Sequence, residues 1–139
     1  MDIVFSTLDR SDVIVLPFVS PGTSVTNPQS HDVFEGLNFN IKLLGPIGLR
    51  TLHISSFFPH RQYPFMSRGS KADPMYYVNW FRRMRETYPA IPLRVVMSDD
   101  KRGSLLNMMC AIDEFDWELE KNGSIAYALD VGEYNPVVT

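Results

Sequence analysis

Apolar and polar residues alternate with a period of two over much of this chain, the signature of half-buried strands. Residues 13 to 19 (Val-Ile-Val-Leu-Pro-Phe-Val) are rich in β-branched side chains and predict a first strand. Pro17 restricts that strand to a sheet edge or ends it early, because proline cannot donate to a ladder. The polar stretch 20 to 31 predicts a connector with short pairing around Val25. From 32 to 44, Val33, Leu37, Phe39, Ile41 and Leu43 stand on one side, with Asn38, Asn40 and Lys42 opposite; Gly36 marks a bulge. Gly45-Pro46-Ile47-Gly48 has turn chemistry, and residues 49 to 58 alternate again before Pro59. Residues 37 to 58 therefore predict a β-hairpin.

The period changes at residue 73. Asp73 is a candidate N-cap, Pro74 suits the first helical position, and Tyr77, Trp80, Phe81 and Met84 recur at i, i+3, i+4, i+7. Arg82, Arg83, Arg85 and Glu86 take the other face, with cations near the negative end of the helix dipole. The pattern predicts one amphipathic helix over about 74–87.

Pro92 to Ser98 predicts a strand, and residues 99 to 103 a charged turn. In 104 to 121, Leu105, Met108, Met109 and Ile112 fit a helix, but Phe115, Trp117 and Leu119 alternate strictly with Asp116, Glu118 and Glu120. One strand with a bulge near 113–114 accommodates both halves. Lys121-Asn122-Gly123-Ser124 is a hairpin turn, and Ile125, Tyr127, Leu129 and Val131 form the returning strand. The expected class is α+β: six or so antiparallel strands with one amphipathic helix laid over them.

Composition supports this reading. Ten prolines are spread along the 139 residues, leaving 75–88 as the good helical window before Pro92. The length suits a single domain over 1–139 with its own core. No apolar run approaches the ~18 residues of a membrane helix, and the N-terminus has no basic region before an apolar stretch, so no membrane partner or secretory signal is expected. Cys110 is the one cysteine, so no internal disulfide or cysteine-cluster zinc site is available.

The formal charge of −3 hides a strong asymmetry. Residues 1 to 59 carry −2, residues 60 to 102 carry +5, and residues 103 to 139 carry −6. Three readings follow: internal pairing of helix and C-terminal hairpin, head-to-tail self-assembly, or nucleic-acid contact through Arg82, Arg83, Arg85, Lys101 and Arg102. The aromatics at 77, 80 and 81 have core spacing, which weakens the third.

Chemical motifs are sparse. His31, His53 and His60 stand in separate contexts without H-E-x-x-H spacing; the alternative is a composite zinc or hydrolase site using Asp32 or Glu35. Cys110 lies between Met109 and Ala111 and suits a small core hydrophobe. Ser55, Ser56 and Ser104 lack a nucleophile-elbow context, and no phosphate-cradling glycine motif occurs. Asp113, Glu114, Asp116, Glu118 and Glu120 are plentiful carboxylates, but three of them project from one strand face rather than across a cleft. No cofactor, metal or catalytic activity is expected.

The ordered segments Leu16–Gly22, Ser56–Phe65 (Ser-Phe-Phe-Pro-His-Arg-Gln-Tyr-Pro-Phe), Asp73–Phe81, Pro92–Met97, Cys110–Glu118 and Ile125–Tyr134 carry a resemblance. Over about 13–134 the chain resembles the N-terminal domain of hub or baseplate proteins of contractile phage tails, in the LysM-containing tail protein family. No LysM domain is expected after Tyr134. The resemblance implies a tail-tube-like fold, an antiparallel β-sandwich or barrel flanked by a helix, and a non-enzymatic structural subunit of a virion tail baseplate, assembled in the host cytoplasm. It implies a homo-oligomeric ring contacting tail tube, hub and wedge proteins, with no direct nucleic-acid recognition. The expected interface residues are the proline-aromatic loop (Phe58, Pro59, His60, Arg61, Tyr63, Phe65), the basic helix face (Arg82, Arg83, Arg85) and the acidic strand (Asp116, Glu118, Glu120).

Overall fold

The computed structural model describes residues 2–19, 23–26, 29–35, 40–47, 49–87, 91–99, 101 and 103–134, with backbone alone at 29–35 and 40–47. Its strands are β1 (Asp2–Thr7), β2 (Val13–Val15), β3 (Ser24–Thr26), β4 (Gln29–Glu35), β5 (Asn40–Ile47), β6 (Thr51–Phe58), β7 (Leu93–Asp99), β8 (Gly103–Leu119) and β9 (Ile125–Glu133). The helix α1 spans Pro74–Glu86. Seven strands form one antiparallel sheet in the order β2-β1-β7-β8-β9-β6-β3, and β4 pairs with β5 in a second, two-stranded sheet. Among the described residues the α+β class with one helix is as expected, and closure into a barrel is not seen: the large sheet is open, with β2 and β3 as its ends.

Two strand expectations need correction. The expected 37–58 hairpin does not form: β5 pairs with β4, while β6 pairs with β9 and β3. Gly45, Pro46 and Ile47 lie inside β5 rather than in a turn. Alternation assigns a face to each residue but not a partner to each strand, so two strands adjacent in sequence were paired by proximity alone. The expected bulge at Gly36, and residues 37–39 and 48 of that hairpin, lie outside the described residues.

The other correction is β1, which the sequence reading did not assign. Ile3-Val4-Phe5 is a continuous apolar run without alternation, yet Ile3 and Phe5 are fully buried. A tight turn returns the chain to β2: Thr7 N–H donates to Asp12 O and Arg10 N–H to Thr7 O, with Arg10 at φ 60. The Ser11 N–H and the hydroxyls of Thr7 and Ser11 donate to Asp9, holding its carboxyl at about 2. The expected strand over 13–19 shrinks to Val13–Val15, ending before Pro17 as that residue's chemistry requires.

The C-terminal half follows its pattern closely. β8 is one seventeen-residue strand whose register shifts between Ile112 and Glu114. That bulge lays Asp113 over Gly132, where any Cβ would lie 2.6 Å from Asp113 Oδ2. The turn to β9 closes through Gly123 N–H to Glu120 O and Glu120 N–H to Ser124 O, with Gly123 at φ 94.

Register places the large apolar side chains of β1, β6, β7, β8 and β9 on one face: Phe5, Ile54, Phe58, Val95, Met108, Phe115, Tyr127 and Leu129 among them. Helix α1 covers this face with Tyr77, Val78, Trp80, Phe81 and Met84. Its start uses Pro74 at the first position, but Asp73 makes no side-chain capping bond. Three rings stack through the core: Tyr77 on Phe58 at 4.8 Å and Phe58 on Tyr127 at 3.9 Å between centroids. Phe81 meets Phe5 edge-on at 5.4 Å and lies 5.4 Å from Phe115.

Tyr77 also ties three segments together. Its hydroxyl donates to Val15 O at 2.8 Å and accepts from Lys71 N–H at 2.9 Å. Burial pushes its phenol up to about 12, so it stays neutral. Tyr77→Phe keeps the ring stack but leaves a carbonyl and an amide unsatisfied. We expect a loss of about 1–3 kcal/mol, read as a lower urea midpoint with an unchanged m-value.

Candidate interaction surface

The outer face of the sheet has a different chemistry from the core face. Successive residues of a strand point to opposite sides, so the residues between the core positions form this face. In β6 and β9 they are His53, Ser55 and Phe57, and Ala126, Ala128, Asp130 and Gly132. In the distal part of β8 they are Glu114, Asp116 and Glu118. Small side chains make a floor beside the carboxylates: Ser55, Asp116, Glu118, Ala126 and Ala128 are among the residues that line one open depression.

The proline-aromatic loop divides between the two faces. Phe58 is fully buried and Pro59 is also buried, so neither offers an interface, contrary to expectation. Phe58 has even parity in β6, which sends it into the core, and Pro59 follows it there. His60 is exposed, with Nδ1 at 2.7 Å from Ser124 Oγ. Arg61 lies over the Tyr63 ring at 4.8 Å. Tyr63 and Phe65 form an aromatic cluster with Phe57 and Phe18, the Phe18–Phe57 centroids being 4.7 Å apart. Phe65 is 68% exposed at its tip. The sequence reading missed Phe18 and Phe57; for Phe57, its odd position in β6, opposite the core parity of Phe58, was the available signal.

The helix arginines are exposed but engaged. Arg82 pairs with Glu86 at 3.4 Å, one turn along. Arg83 pairs with Asp12, next to β2. Arg85 Nη1 donates to Phe115 O at 3.4 Å, on the backbone of β8. The helix thus reaches the C-terminal hairpin through a carbonyl rather than through its carboxylates. Among the described residues, Asp116, Glu118 and Glu120 form no ion pair. Asp116 and Glu118 share a face with Glu114, whereas Glu120 lies in the turn beyond β8. A hydrogen bond shared with Asp116, then the charges of Asp116 and Asp130, push the Glu114 carboxyl up.

His53, His60 and Cys110 have local roles. His53 Nδ1 lies 2.6 Å from Asp130 Oδ1, directly across the β6–β9 ladder. His31, Asp32 and Glu35 fall in β4, where only the backbone is described. Among the described residues no group of three or more His, Cys, Asp or Glu is placed to hold a metal ion. Cys110 is buried, and that burial pushes its thiol up to about 12.

One ion pair secures the base of this surface. Arg50 Nη2 donates to Glu133 Oε2 at 2.8 Å, Arg50 N–H to Glu133 Oε1 at 3.0 Å, and Glu133 N–H to Arg50 O at 2.8 Å. It holds the end of β9 against the entry to β6.

No protein-family model matches this chain, and no curated protein matches it in sequence. A solved structure does match: a chain from the tail of an empty GTA particle, determined with helical refinement and C6 symmetry. The TM-score is 0.52 with 13% identity, over 97% of this chain and 92% of that chain. The likeness spans nearly all of both chains, and the fold is of a type found in that tail.

Two outcomes follow from the site's electrostatics. The Glu133 carboxyl is held below its ordinary 4.5 by its bonds to Arg50, so its contribution is present above that value and lost as pH falls below it. Glu133→Gln should lower stability at pH 7 by roughly 0.5–1.5 kcal/mol and flatten the acid limb of a stability-against-pH curve. Cys110 should stay unreactive toward a thiol-disulfide reagent at pH 8 and react fully only in denaturant, as followed by absorbance.

Proposed function

We propose that this protein is a structural, non-enzymatic subunit of a phage tail or phage-tail-like particle. The observation that carries the reading is the fold match to a tail chain over 97% of the length. The motif order shared with contractile-tail hub proteins supports a finer position, at the baseplate, linking the end of the tail tube to hub and wedge proteins. The matched tail has C6 symmetry, which supports a homo-oligomeric ring as the working state. The chemistry of the surface suits a mechanical role: aromatic and charged side chains are spread over a broad sheet face, which is how large protein interfaces are built. Nucleic acid has no part in this reading, because Arg82, Arg83 and Arg85 already serve partners within the chain.

Electron microscopy and native mass spectrometry of the purified chain, alone and with tube and hub proteins from the same tail locus, test the reading. Closed rings or a stable complex with tube or hub are expected. A monomer at all concentrations that binds neither would overturn it. Within the complex, Phe65→Ser should weaken association by about tenfold or more if the exposed aromatic tip is an anchor, while lowering the urea midpoint of the isolated chain only slightly, because the ring also meets Phe18 and Tyr63.

A further inference from the structure

Strand β8 changes partner at one residue. Cys110 pairs with Leu93 of β7 on one side and with Glu133 of β9 on the other. Before Cys110 the strand is flanked by β7; beyond it, by β9. Among the described residues, no strand lies on the β7 side of residues 111–119. Parity identifies the open backbone groups. Glu120 N–H points into the β9 turn, donating to Ser124 O, so the even residues of this stretch face β9. Phe115, Trp117 and Leu119 therefore turn their N–H and C=O groups to the open side. The Arg85 contact with Phe115 O fits that parity and takes up one of these groups.

The side chains at this edge are unusual for a solvent-facing strand. Trp117 and Leu119 point to the core face but lie beyond the helix, at 42% and 67% exposure. Asp116 and Glu118 stand exposed on the opposite face. An exposed, apolar edge of this kind is a template for strand addition. A strand that completes it needs apolar residues over Trp117 and Leu119 and cations beside Asp116 and Glu118.

The open strands of this chain do not match that requirement. β2 is Val-Ile-Val and β3 is Ser-Val-Thr, with no cation in either. β4 carries Asp32 and Glu35, and β5 offers Lys42 alone. Two copies of the β8 edge would bring like carboxylates together, which is unfavourable across a ladder. We infer that the Phe115–Leu119 edge of β8 is a strand-addition site for an extended segment of a different protein, one that alternates apolar and basic residues. This deepens the tail-subunit reading and rests on it for the partner's biological setting.

The test uses the isolated full-length chain, so its failure is separable from failure of ring assembly. The probe is a synthetic seven-residue peptide alternating Lys with Val or Ile. One control has Glu in place of every Lys, and a second has Pro at its central apolar position. Trp117 reports binding by a blue shift of its emission, with Trp117→Phe marking the signal that belongs to the buried Trp80. The Lys peptide should bind roughly tenfold or more tightly than the Glu peptide, and the Pro peptide should not bind. Asp116→Lys with Glu118→Lys should reverse the preference between the charged peptides. Absent binding, equal binding of the Pro peptide, or an unchanged preference in the double variant would overturn the inference. Concentration-dependent protection of Trp117 in the chain alone would overturn it too, by making a second copy the occupant.

Discussion

Everything in this fold depends on covering one apolar sheet face with one helix. Strands β1, β6, β7, β8 and β9 direct their large side chains to the same side, and α1 is the helix packed there. The stack of Tyr77, Phe58 and Tyr127 joins the helix to β6 and β9, and Phe81 joins it to β1 and β8 through Phe5 and Phe115. Aromatic rings bury large areas each, so a short helix can seal a wide sheet. Flat stacking at 3.9 Å leaves no room for water, and the Tyr127 hydroxyl is buried without a hydrogen-bond partner among the described residues. Burial accordingly raises its phenol well above the ordinary value.

The cover is shorter than the sheet. β8 runs seventeen residues, and the helix ends near Phe115, where Arg85 meets its carbonyl. Trp117 and Leu119 continue the core face past that point into solvent. One strand serves two neighbours, β7 up to Cys110 and β9 from Cys110 onward, and a bulge at Asp113 interrupts the β9 ladder. The outward geometry of the acidic residues follows from the same event, because an extra residue resets which side chains face out. A surface of small residues, carboxylates and a few exposed aromatics is therefore a consequence of how the core closes.

The C-terminal hairpin and the helix were legible because each has a strong local code. Strict alternation from Phe115 to Glu120, Asn-Gly in a four-residue turn, and apolar spacing from Tyr77 to Met84 each admit one conformation. The interaction surface was legible only in part. His60, Arg61, Tyr63, Phe65, the helix arginines, and Asp116 with Glu118 are exposed or half-buried on the fold. Phe58 and Pro59 looked the same in sequence but differ by parity, since a single position along β6 decides between core and surface.

By itself, the sequence determined element type, the position of the bulge, the single helix, the inert setting of Cys110 and the separation of basic and acidic blocks. These are set by neighbours a few residues away, through side-chain period, turn chemistry and proline. Apart from the β8–β9 hairpin, strand pairing was decided by the tertiary structure alone. That β6 joins β9 and not β5, that β1 enters the sheet at all, and that Arg85 serves a backbone carbonyl rather than a carboxylate all depend on residues tens of positions apart. Alternation records which face a residue takes; only burial of the shared face under α1 selects which strands lie side by side.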